Sequence, residues 1–130
     1  MKLLPYWIQR ADFSATDHAP VDVAGALRAF EAHPWQDELN LQSELADAGH
    51  EYCPPGIGFV DPDGQILHVC PNAVGRALVH YHAKPRFSVI PPVEAAVHAR
   101  DDMLGADVAE LIHHFFHGQH DWVLRKLGAA

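Results

Sequence analysis

The sequence predicts a single α+β domain: a small, mainly antiparallel sheet of three to five strands, with N-terminal and C-terminal helices packed mostly on one face. Three observations lead there. The stretch Pro55–Ala83, PGIGFVDPDGQILHVCPNAVGRALVHYHA, reads as three short strands joined by two tight turns, a β-meander at about residues 57–83. The segments on either side carry apolar residues at helical spacing. With no internal repeat and no dividing linker, all 130 residues serve one hydrophobic core, so residues 1–130 form one domain.

The elements follow in order. Residues 3–13 (LLPYWIQRADF) contain the strand formers Tyr6, Trp7, Ile8 and Phe13, which predicts a strand near Tyr6–Arg10. Ser14–Pro20 reads as a polar connection. Val21–His33 reads as a helix because Val23, Leu27 and Phe30 recur at helical spacing, and Pro34 ends it. Trp35–Ala48 predicts a second helix, with Trp35, Leu39 and Leu45 or Ala46 on one face. Asp37 and Glu38 suit the positive end of its dipole, and Gly49 suits a left-handed cap. Leu39 and Leu41 also alternate, which allows an extended piece before a helix beginning at Ser43. His50–Pro55 reads as a loop.

Asp61-Pro62-Asp63-Gly64 is a turn signal: Pro62 presets its own φ and Gly64 accepts the left-handed position. Ile57–Val60 and Gln65–Cys70 therefore pair as a hairpin. Pro71–Gly75 turns the chain again, Arg76–Ala83 returns, and Pro85 breaks that strand. Phe87–Ile90 reads as a fourth strand bounded by Pro91 and Pro92. Val93–Arg100 reads as a helix, with a strand as the alternative. Ala106–His117 has the clearest helical pattern, Val108, Leu111, Ile112 and Phe115, with Gly118 as its C-cap. Gln119–Leu127 predicts a last short helix burying Trp122, Val123 and Leu127.

Composition narrows the function classes. Charged residues make up 20% and apolar residues 48%, values that place the chain among ordinary globular proteins. No apolar run approaches the roughly 20 residues that span a bilayer. The opening MKLLPYWIQRADF is interrupted by Pro5, Gln9 and Arg10 and lacks a small-residue cleavage site, so a cytoplasmic location is expected. Two cysteines, Cys53 and Cys70, make no disulfide framework and read as buried thiols.

The net charge is −8, and its distribution says more than its sum. Between Ala29 and Gly75 there is no Lys or Arg. That window holds Glu31, Asp37, Glu38, Glu44, Asp47, Glu51, Asp61 and Asp63, eight carboxylates that equal the whole net charge. Such acidity argues against nucleic acid or an anionic membrane as partner. A one-sign surface instead attracts a basic protein and rejects wrong partners; a solubilising surface is the plainer account of the same charge. Eleven histidines add a second peculiarity, because protonating them near pH 6 would cancel much of the negative charge. A pH-responsive protein would then change in stability or assembly on mild acidification.

Two sets of histidines have spacings that suit metal ligation. On the 106–117 helix, Glu110, His113, His114 and His117 fall opposite the apolar stripe. His113 and His117 are four apart, so their rings can converge on one ion. This is not the HExxH pattern, and a structural zinc site wants four protein ligands, which Glu110 and His120 would have to complete. The second set is His68, Cys70, His80 and His82. If opposed residues of the second hairpin sum to an even number, these four share a face. If the sum is odd, the cluster dissolves. The odd register is preferred on patterning, because it collects Ile57, Phe59, Ile66, Cys70, Val79 and Tyr81 into one apolar set.

Nucleophilic catalysis has little behind it. Three serines, Ser14, Ser43 and Ser88, and one threonine, Thr16, lie outside any nucleophile motif. Cys53 follows His50 by three residues in a loop, a weak pattern for a thiolate pair. Gly56-Ile57-Gly58 lacks the remaining features of a phosphate loop, and Asp61 with Asp63 lacks the rest of a calcium loop. The expected function is therefore a non-catalytic protein-binding module of a cytoplasmic protein of bacterial type. Its acidic surface, residues 29–75 with Asp37, Glu38, Glu44 and Asp47 as the docking carboxylates, takes a basic partner in the manner of an immunity or adaptor protein. The alternative is a histidine-based metal-binding or thiol-dependent enzyme using His113 and His117 or His68, His80 and His82. No cofactor is expected beyond the zinc that those histidines suggest.

Overall fold

Alternating apolar residues in the strands and a 3.6-residue apolar stripe in the helices meet in two layers. The computed structural model describes residues 2–73, 75–83 and 96–128. The chain runs β1 (Leu4–Gln9), β2 (Ala15–Val21), α1 (Val23–Ala32), α2 (Trp35–Asp47), β3 (Gly56–Val60), β4 (Ile66–Ala73), β5 (Arg76–Ala83), β6 (Ala96–Leu104), α3 (Gly105–Phe116) and α4 (His120–Lys126). The strands form one sheet in the order β2-β1-β3-β4-β5-β6, and every pairing is antiparallel. The α+β class is as expected, but the described residues hold six strands.

Two of those strands correct the sequence reading, and both are edges. Ser14–Pro20, read as a connection, lies mostly in β2. Its polar residues and Pro20 are tolerated because an edge strand has one neighbour and leaves one row of N–H groups unpaired. The turn before it is held by Asp12, whose carboxylate accepts from the Ser14 amide at 3.0 Å and the Ser14 hydroxyl at 2.6 Å. At the other edge, Ala96–Arg100 is part of β6 rather than a helix. Residues 87–90, the expected fourth strand, lie outside the described residues.

The β3–β4 turn forms as predicted, with Gly64 at φ 85° and its amide donating to the Asp61 carbonyl at 3.0 Å. The second hairpin does not adopt the preferred register. Leu67 faces Tyr81, His68 faces His80 and Val69 faces Val79, so opposed numbers sum to an even value. The physical reason lies in β4. Its better apolar face is Leu67 and Val69, which continue Phe59 and Ile57 of β3 across the sheet. Ile66 and Cys70 flank His68, and that face points away from the core.

Ile57, Phe59, Leu67, Val69, Val79 and Tyr81 are all fully buried, under Val108, Leu111, Ile112, Phe115 and Phe116 of α3. Ala26 of α1 and Val123 of α4 complete the same layer. Burying such side chains is worth about 1.5–3 kcal/mol each, so this face fixes the register. Helix α2 is different. Of its thirteen residues Glu38 alone is buried, and the helix packs against β4. Among the described residues no helix is long and apolar enough to cross a membrane.

Candidate functional site

The even register gathers the histidines that the odd register would have scattered. Trp7, His68, His80 and His82 share the sheet face opposite the core. Ring centroids run 5.8 Å from Trp7 to His68, 6.2 Å from His68 to His80 and 6.5 Å from His80 to His82. Two glycines make room for this row. A Cβ at Gly58 would stand 2.2 Å from the Trp7 ring, and one at Gly56 would stand 2.9 Å from both the His68 Nε2 and the Cys70 Sγ. These contacts require glycine because the aromatic rings lie directly on the backbone.

Burial, reinforced by His80 and His82, holds His68 well below the usual imidazole range, at about 4. Burial also pushes the Cys70 thiol up to about 11, with Cys53 adding to the effect. The Cys70 Sγ lies 3.7 Å from His68 Nε2. An activated pair needs a thiolate beside an imidazolium, so both shifts run against nucleophilic use of this thiol. Cys53 is held elsewhere: Gln9 Nε2 donates to its sulfur at 3.1 Å, and its thiol donates to the Arg10 carbonyl at 3.2 Å. Among the described residues no group of three or more His, Cys, Asp or Glu side chains converges closely enough to hold a metal ion.

His120, considered as a supplement to the α3 pair, points into the fold instead. Its Nδ1 lies 2.7 Å from the Tyr81 hydroxyl and its Nε2 3.1 Å from the Asp61 carboxylate. Tyr81 donates to Gln65 Oε1 at 2.8 Å, and Gln65 Nε2 donates to Asp61 at 2.9 Å. Asp61 also accepts from the Asp63 and Gln65 amides. This buried network ties α4 to the β3–β4 turn. Sequence reasoning recognised the turn and missed the network, whose members lie up to 59 positions apart.

The acidic docking set also changes. Glu38 is 4% exposed, and Arg10 Nε donates to its two oxygens at 3.0 and 3.3 Å. His33 Nε2 stands 3.6 Å from the same carboxylate. Glu38 is therefore an internal charge, paired because an isolated buried carboxylate is costly. Asp61 is also buried, with the Asp63 and Gln65 amides, the Gln65 side chain and His120 as its partners. Asp37, Glu44 and Asp47 are exposed and make no ion pair among the described residues. An advance of about 100° per residue places these three on one side of α2, within about 80° of one another, with Leu39 about 80° beyond Asp47.

Beside that helix opens a cleft of about 280 Å³. Phe30, Trp35, Leu39, Pro71 and Ala77 give it apolar walls, with Glu31, His33, Gln36 and Arg76 as polar lining. Trp35 is fixed by its indole N–H, which donates to the Phe30 carbonyl at 2.7 Å. The Arg76 guanidinium is drawn toward Asp102, 3.4 Å away, which offsets the lining's positive charge. Around α2, Gln36 of the cleft lining lies between Leu39 and the exposed carboxylates and donates to Asn40, which lies among them, at 3.0 Å. Apolar walls with a few convergent polar groups are the usual character of a binding cleft.

His113 and His117 do come together, with ring centroids 4.4 Å apart on the exposed side of α3. His114 stacks on Trp122 at 3.7 Å and bonds Gln119, with its ring edge-on to that of His113 at 5.5 Å. Glu110 lies 3.8 Å from the Lys126 ammonium. Comparison with protein-family models, with curated proteins and with solved structures finds no match to this chain.

Proposed function

We propose that the protein is a non-catalytic docking module whose α2 region takes a basic partner. The observation that supports this reading is the juxtaposition at α2. A mostly apolar cleft of about 280 Å³ opens next to a helix side carrying Asp37, Glu44 and Asp47, within a 29–75 window free of Lys and Arg. Charge of one sign steers a partner and fixes its orientation, while an apolar anchor in a cleft supplies most of the affinity. The partner segment is thus an apolar residue flanked by Lys or Arg. Glu38 has no part in it, because its carboxylate belongs to Arg10.

The test uses a synthetic peptide with a central Leu flanked by Lys and Arg, titrated calorimetrically against the whole chain. Reversing Asp37, Glu44 and Asp47 to Lys weakens binding at least about tenfold at low salt, and raised salt does the same to the wild type. Replacing the central Leu by Ser removes the anchor and weakens binding independently. Equal affinity in the wild type and the charge-reversed variant would sink the proposal.

A further inference from the structure

We infer that the C-terminal end of α3 is a binding site for an imidazole-preferring divalent transition-metal ion, held by His113 and His117. Both side chains are exposed, on the side of α3 opposite Val108, Leu111 and Phe115. Their rings are already 4.4 Å apart and tilted by 40°, so little side-chain freedom is left to lose on chelation.

The hydrogen bonding sets the proton where a ligand needs it. His117 Nδ1 lies 2.8 Å from the His113 carbonyl oxygen. A carbonyl only accepts, so Nδ1 carries the hydrogen and the neutral ring's lone pair is on Nε2, free for an ion. Metal-binding histidines characteristically donate their other ring N–H to a carbonyl or carboxylate in this way, which fixes tautomer and orientation. Here the donor is the second histidine of the pair and the acceptor is the backbone of the first, so the chelate is preorganised within one helical turn.

The local field also matters. His117 caps α3, and the last turn of a helix carries partial negative charge that favours a cation. Glu110, one turn earlier, adds a carboxylate that Lys126 approaches at 3.8 Å. Lys2 opposes these, because its ammonium reaches the neighbourhood of Gly118. His114, edge-on to His113 at 5.5 Å, is engaged by Trp122 and Gln119 instead. Two imidazoles leave the remaining coordination positions to water, and nitrogen donors of this kind select Cu²⁺, Ni²⁺ or Zn²⁺ over Mg²⁺ or Ca²⁺.

The experiment is titration of the full chain with Ni²⁺, Zn²⁺ and Cu²⁺, with the Cu²⁺ form also read by electron paramagnetic resonance. The wild type binds one ion per chain at this site, tightest for Cu²⁺, with a spectrum showing coupling to two nitrogens. His113→Ala and His117→Ala each weaken binding by at least about tenfold and leave thermal unfolding of the metal-free chain unchanged. A His80→Asn/His82→Asn variant serves as the control on the other layer and retains the ion. Binding that survives both α3 substitutions, or that is lost in the control variant instead, overturns the assignment, as does the absence of binding by the wild type.

Discussion

The two faces of the sheet are built from the same strands and have opposite characters. On the covered face of β3, β4 and β5 the alternate residues Ile57, Phe59, Leu67, Val69, Val79 and Tyr81 are apolar and buried, and α1, α3 and α4 close over them. On the other face the alternate positions include Trp7, Gly56, Gly58, His68, His80 and His82; the rings are half-buried, and those of Trp7 and His68 lie on bare glycine backbone. The covered face has the larger energy at stake and dictates how the strands align. The histidine face then follows without having been selected by its own contacts. Its half-buried imidazoles form neither a second core nor a run of carboxylates, which separates it from the acidic α2 region as well.

The comparison can be broken most directly by truncation. Phe115→Ala in the covered layer is expected to cost about 3–5 kcal/mol, from lost burial and the cavity left behind. His82→Ala on the open face should cost less than about 1 kcal/mol. Urea unfolding of both variants measures the contrast, and equal costs would mean that the faces do not differ as described.

A smaller effect separates the faces by pH. In the folded protein His68 titrates at about 4, against an ordinary value near 6.5. Its folded-state value is depressed, so the unfolded chain binds the proton first as pH falls. The stabilisation is complete above pH 6.5 and is lost progressively toward pH 4. It amounts to roughly 2–3 kcal/mol at most, since a shift of one unit is about 1.4 kcal/mol and His68 retains some solvent contact. His68→Phe should flatten that part of the stability profile; an unchanged slope would locate the acid sensitivity elsewhere.

The finest probe is Gly58→Ala. The added methyl must displace Trp7, at a cost of about 1–2 kcal/mol. Trp7 emission, isolated by Trp35→Phe and Trp122→Phe, should shift to the red while the covered face keeps its amide protection. An unshifted spectrum would show that the indole does not rest on the glycine.

Much of this architecture could be read from the sequence wherever the signal was local. The α3 stripe, the Asp61–Gly64 turn and α2 itself needed only neighbouring residues. Strands β2 and β6 escaped because edge strands need not alternate cleanly, and Thr16, Asp17 and His18 look like a loop until β1 lies beside them. The register escaped for a sharper reason: β4 carries apolar residues on both faces, and patterning alone chose Ile66 and Cys70 over Leu67 and Val69. Of the candidate site, the exposed carboxylates and the His113–His117 spacing were visible. The inward turn of Glu38 was not, because Arg10 lies 28 positions away and only tertiary structure brings them together.

The position of β1 has a consequence for biosynthesis. Its ladder with β3, Tyr6 to Phe59 through Gln9 to Gly56, is the one described strand pairing that joins distant parts of the sequence; every other joins consecutive strands. During translation the β1–β2 hairpin, complete at Val21, must wait for β3, which ends at Val60; making about 40 further residues takes roughly two to eight seconds at ordinary elongation rates. For that interval an unpaired edge and the Trp7 indole are both open to other nascent chains. Slow codons between Ala48 and Phe59 would lengthen that exposure, and the yield of soluble protein would register it before any change in the finished fold.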